Sequence, residues 1–192
     1  MMADYLRVAS GSWPRQEAWP AYDRDASLVC VHEAGHLCVD IALRLSPETV
    51  DLVAVAQGPH GEVRKFEGGR RIDKPGKEPD FGADPDDDPP DYFKRQCLDR
   101  AALFLAGFVA ETEAAKVQIT GWPWPVLATH DLQCALAFLG LAFPHRIDGP
   151  LRAAWCQAQD TLRSEWPWVL RVAAVLEQQG RCDRAEAHML RH

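Results

Sequence analysis

Two histidines four residues apart inside an apolar segment, His32-Glu33-Ala34-Gly35-His36, constrain this chain more than any other feature of it. Around them Leu28, Val31, Gly35, Cys38, Ala42 and Leu45 recur at helical spacing, which predicts a helix capped by Asp25 or Ser27 and running to about Leu45. Residues four apart on a helix stand one above the other, so both imidazoles reach one point, as two positions of a tetrahedral zinc ion require. Glu33, on the adjoining edge of the same turn, can reach a water held at that point, take its proton and pass it to a leaving amine. Gly35 costs the helix about 1 kcal/mol relative to alanine, which points to a close backbone approach.

Two histidines do not complete a hydrolytic site, because a peptidase-type zinc takes a third protein ligand and leaves its fourth position to water. The downstream pattern HxxGxxH is missing, since residues 38–45 contain neither histidine nor glycine, and the metzincin arrangement is thereby excluded. The third-ligand candidates are Glu111, Glu113, His130, Asp131 and Asp40. Asp40 ranks low, because the helix rise carries it about 6 Å beyond His36. Cys30 is discounted because on a helix it points away from His32.

Along the rest of the chain, Ser46-Pro47 breaks the first helix. Strands are expected at Thr49 to Ala56 and, after the turn Gly58-Pro59-His60-Gly61, at Glu62 to Phe66. Residues 67–91 turn abruptly to Gly, Pro and Asp, including Asp84-Pro85-Asp86-Asp87-Asp88-Pro89-Pro90, and are expected to form a flexible acidic loop. Tyr92 to about Val117 carries Leu98, Ala102, Leu105, Ala106, Val109 and Ala110 at helical spacing, as a central helix would. Trp122-Pro123-Trp124-Pro125 interrupts helix. Further helices are expected from Thr129 to Asp131 onward to Phe143, from Leu151 to Gln179 after Gly149-Pro150, and from Asp183 to Leu190. The sum is a predominantly α-helical α+β fold, with the motif helix beside a small sheet or hairpin and a helical bundle C-terminal to it. Residues 1–24 form an N-terminal extension and residues 25–192 a single domain.

Charge and composition then remove whole classes of function. With 21 Lys plus Arg against 28 Asp plus Glu, a net charge of -7, the chain lacks the basic stripe of a nucleic-acid binder. The longest apolar run, Ala101 to Ala110, is too short to span a bilayer, and Met1 to Trp19 has no secretory h-region. The six cysteines form no CxxC pair and fall mostly in apolar helical segments, as reduced, buried thiols of a cytoplasmic protein would. No GxxxxGK[ST] phosphate loop occurs, so ATP-driven unfolding is not expected of these residues themselves.

Three segments in order, HEAGH, then Leu105-Ala106-Gly107-Phe108-Val109-Ala110-Glu111, then His130-Asp131-Leu132-Gln133-Cys134-Ala135, together resemble the peptidase domain of the FtsH-type membrane AAA proteases. The resemblance covers about Ser27 to Leu190 and implies His32 and His36 as zinc ligands, Glu33 as general base and Asp131 as third ligand. It also implies Glu111 as the residue orienting a ligand imidazole, and the strand near Val50 to Ala56 as an edge for an extended substrate. The implied activity is hydrolysis of peptide bonds in a peptide or unfolded protein, ATP-independent unless an ATPase partner acts in trans. The rival expectation is a catalytically silent zinc-binding module of the same fold. The chain departs from the family pattern in having His130 where asparagine is usual, a longer segment at Trp122 to Leu127, and the acidic loop.

Overall fold

A computed structural model of the chain describes residues 26–57, 60–67, 70–71, 88–115 and 130–192. Its first element, α1 (Ala26–Ala42), is buried continuously from Val29 to Ile41. A helix covered on all sides belongs to the interior rather than to an amphipathic surface. Strands β1 (Val50–Gln57) and β2 (His60–Glu67) and helices α2 (Asp91–Ala114) and α5 (Trp166–Gln179) make most of its enclosure. Helix α2 in turn carries α3 (His130–Ala142) and α4 (Asp148–Ser164). One continuous apolar cluster, from Cys30 and Leu37 through Leu105 and Val109 to Trp168 and Leu176, joins these elements. The predominantly helical α+β architecture read from the sequence is the one observed.

The sheet has four antiparallel strands in the order β3-β2-β1-β4, where β3 is Arg70–Arg71 and β4 is Arg181–Asp183. Two expectations change here. The segment read as loop from residue 67 begins as structure, with Glu67 ending β2 and Arg70–Arg71 pairing back onto Phe66 and Glu67. Strand β1 lies between β2 and β4, and β4 covers it from Val53 to Val55, so the segment Val50 to Ala56 is not a continuous free edge.

The helix expected from Leu151 to Gln179 is two helices. Pro167, in the first turn of α5, lacks an N–H and cannot continue α4, so the chain turns at Glu165. Gly149-Pro150, expected to interrupt, instead lies in the first turn of α4, where proline leaves no hydrogen bond unmade. Helix α5 ends at Gly180, whose φ of 71° is the left-handed cap that glycine adopts without strain. The next strand, β4, was not anticipated; Asp183 closes it and caps α6 (Arg184–Met189) by accepting a hydrogen bond from the Glu186 N–H. Ser27 lies inside α1 rather than capping it, and Asp25 falls outside the described residues. So do residues 1–24, most of the acidic segment and the Trp122-Pro123-Trp124-Pro125 stretch. No helix among the described residues is long and apolar enough to cross a membrane.

Candidate metal centre

Helices α1 and α2 cross at two small residues. A Cβ built on Gly35 would lie 2.8 Å from both the Ala106 carbonyl oxygen and Ala110 Cβ, which is the close approach that the mid-helix glycine implies. The crossing brings α2 against the histidine face of α1, and α3, packed on α2, delivers its first turn to the same place. His32, Glu33 and His36 are all buried there.

Three ligand atoms converge. His32 Nε2 and His36 Nε2 lie 3.0 Å apart, and Asp131 Oδ2 stands 3.1 Å from the first and 3.5 Å from the second. Around a tetrahedral zinc with bonds of about 2.0–2.1 Å, neighbouring ligand atoms stand roughly 3.3 Å apart. The observed triangle has edges of that length. Asp131, 99 residues from His32 in sequence, sits inside the first turn of α3 with its carboxylate turned to the histidines, not to the helix's own N–H groups as a cap would turn it.

The other ring nitrogens decide which atoms face the centre. His36 Nδ1 donates to the Leu103 carbonyl oxygen at 2.8 Å. His32 Nδ1 lies 2.6 Å from Glu111 Oε1, a buried ion-pair contact whose angle is poorer than that of an ideal hydrogen bond. A carbonyl and a carboxylate can only accept, so each Nδ1 carries the proton and each neutral ring turns its Nε2 lone pair inward. Two lone pairs and a carboxylate oxygen then face one another with no hydrogen between them. Such a set holds together only around a cation, either a metal ion or one added proton.

The electrostatics of the metal-free protein record the second alternative. Burial by itself lowers the pKa of His32. The hydrogen bond to Asp131, the contact with Glu111 and the charges of Glu33 and Glu111 outweigh it and raise the group from 6.5 to about 9. Burial by itself raises the Asp131 carboxyl, but the His36 charge and the hydrogen bonds to both histidines hold it well below the usual carboxylate range. Buried, strongly shifted and mutually dependent groups mark functional sites more often than structural ones.

Glu33 Oε1 is 4.0 Å from His32 Nε2, beside the triangle but not a member of it. Its side chain packs on β2: a Cβ added to Gly61 would come within 2.7 Å of Glu33 Oε1. The remaining candidates lie elsewhere. His130 is exposed, with Nε2 3.5 Å from Cys134 Sγ. Glu113 is exposed near Arg163, and Cys30 is in the apolar cluster. Asp40 is wholly buried and engaged by the Ser46 N–H at 3.1 Å, the Ser46 hydroxyl at 3.0 Å and Lys65 Nζ at 2.8 Å. It ties the end of α1 to β2 and is not a ligand.

Sequence reasoning missed Leu103, whose backbone orients His36, and Gly61 and Gly107, which contribute by having no side chain. A backbone acceptor leaves no trace in residue identity. Gly107 did carry a signal, a glycine inside an otherwise apolar helical run, with the same energetic cost that drew attention to Gly35. No protein-family model matches the chain, and no curated protein is significantly similar to it.

Proposed function

We propose that this domain is a zinc-dependent metallopeptidase of the FtsH-peptidase kind, cutting extended peptides. The observation that carries the proposal is the closed set of acceptors: His32 Nε2, His36 Nε2 and Asp131 Oδ2 around one point, with both Nδ1 atoms committed elsewhere. Two imidazoles and one carboxylate suit zinc, and zinc in such a site supplies a water acidic enough to attack at neutral pH and polarises the scissile carbonyl. Glu33 gives the centre its hydrolytic character. From beside His32 it accepts the proton of the attacking water and delivers it to the leaving nitrogen. Glu111 holds His32 in the required tautomer, as the Leu103 carbonyl holds His36.

The sheet supports an extended substrate, along β2 instead of β1. Gln57 pairs with His60 and Glu67 with Arg70, each across two intervening residues, so both are hairpin-closing pairs that exchange hydrogen bonds. The two registers agree: even-numbered residues of β2 bond to β1, and odd-numbered ones direct N–H and C=O outward. Among the described residues β3 meets only Phe66 and Glu67, which leaves the outer backbone of Gly61, Val63 and Lys65 for a peptide strand beside Glu33.

Metal analysis of protein purified without a histidine tag, combined with turnover of an unfolded casein substrate, tests this. The expected result is one zinc per chain in the parent and in Glu33→Gln, and none in His36→Ala or Asp131→Ala. Glu33→Gln should lose about 100-fold or more in kcat. Zinc in the parent with no turnover of the substrate would leave a silent binding module. Iron in place of zinc, or no metal after reconstitution, would overturn the proposal.

A further inference from the structure

Gly107 stands in the middle of α2, buried, with His32 and His36 directly across the helix crossing. A Cβ built on it would lie 2.5 Å from His32 Nε2, 2.5 Å from His36 Nε2 and 2.6 Å from His32 Cδ2. Those two nitrogens are the inward-facing lone pairs of the centre, 3.0 Å apart. At 2.6 Å from His32 Cδ2 as well as 2.5 Å from its Nε2, that Cβ lies against the Nε2–Cδ2 bond of the ring, off the lone-pair direction along which a bonded metal would stand. A side chain at position 107 would collide with both imidazoles where their Nε2 atoms converge.

We infer that Gly107 is a positioning residue of the metal centre: its bare Cα leaves the room in which both imidazoles converge on one point, and any larger residue forces their Nε2 atoms apart. The inference rests on the metal reading proposed above. It separates the two glycines of the crossing by what they meet. Gly35 faces a carbonyl oxygen and a methyl group of α2, which are backbone or fixed to it, so its role is helix packing. Gly107 faces the far ends of two side chains, which can rotate. Gly107→Ala therefore folds by swinging the imidazoles outward. It gains helix propensity from alanine and loses the convergence of the Nε2 atoms on which binding depends.

The test is calorimetric titration of zinc into metal-free parent, Gly107→Ala and Gly35→Ala, with circular dichroism on each. The expected result is a native helical spectrum for Gly107→Ala with zinc affinity reduced by more than about 100-fold, beyond the 10–100-fold that loss of an orienting partner gives. Gly35→Ala should lower the melting temperature, and whatever fraction folds should still bind zinc. If Gly107→Ala does not fold, Gly107→Ala/His32→Ala/His36→Ala is compared with His32→Ala/His36→Ala. Equal stability of those two shows that the Cβ conflicts with the rings and supports the assignment; a triple variant that still fails to fold overturns it. Zinc bound by Gly107→Ala as tightly as by the parent overturns the inference and leaves the metal centre standing. A parent that takes up no zinc overturns the centre and the inference together.

Discussion

At the scale of single residues, the site depends on groups held by contacts that cannot be exchanged for similar ones. Glu33 is the clearest case, because its carboxylate is located between His32 on its own helix and the backbone of Gly61 on β2. Gly61→Ala would not disturb the ligand triangle, yet it would push the Glu33 carboxylate off its position. The expected outcome is one zinc per chain, an unchanged fold and a kcat lower by about 100-fold, the usual consequence of misplacing a reacting group by about 1 Å. Steady-state kinetics beside metal analysis checks it; full activity would show that the carboxylate has room to spare. The same residues show how far a sequence reaches. His32, Glu33 and His36 were legible because helix geometry alone converts four-residue spacing into convergence. Asp131 was not, because nothing local relates it to residues 99 positions away, and only the resemblance separated it from His130 and Glu113.

At the scale of elements, α1 and β2 are fastened at two places. Gly61 rests on Glu33 near the histidines, and Lys65 reaches Asp40 further along the helix. Asp40 takes three hydrogen bonds while fully buried, with Arg184 of α6 3.8 Å away, so removing its carboxylate strands Lys65 and Ser46 together. Asp40→Ala should lose about 3 kcal/mol of stability, as expected when a buried charge pair loses one partner. Lys65→Met would leave the fully buried Asp40 carboxylate with only Arg184 among the described residues, at 3.8 Å, as a cation beside it, so it should lose a similar amount, about 3 kcal/mol. Urea denaturation of the metal-free protein measures both, and zinc content should be unchanged in each; loss of zinc in Asp40→Ala would make it part of the centre after all. Long elements with strong periodicity, such as α1 and α2, were legible to within a few residues. The division of α4 from α5 was missed because the apolar pattern continues through Glu165, and only Pro167 marks the break. Strand β4 was missed because three residues carry no periodicity; it exists only because β1 offers it an edge.

At the scale of the whole molecule, the proposed metal binding would be coupled to stability through one proton. Without metal, His32 is raised from 6.5 to about 9, so it contributes stability that is fully present below pH 6.5 and is lost as pH rises through about 9. Asp131 is depressed, and its contribution is present above its unfolded value of 3.8 and lost on acidification. Burial moves four thiols away from the alkaline window: Cys97 is pushed up to about 11, Cys182, beside neighbouring acids, to about 12, and Cys38 and Cys134 upward as well. The metal-free protein should therefore melt at progressively lower temperature between pH 6.5 and 9. Zinc requires the neutral imidazole and must displace that proton, so its affinity rises with pH over the same interval. The loaded protein gains stability from ligand binding in proportion to the logarithm of that affinity. The gap between the melting temperatures of loaded and metal-free protein should accordingly widen from pH 6.5 to 9. Scanning calorimetry of both forms across the interval reads it directly. A constant gap would mean that binding displaces no proton from His32, either because the ring is already neutral at pH 6.5 or because it is not a ligand; metal content of His32→Ala separates the two.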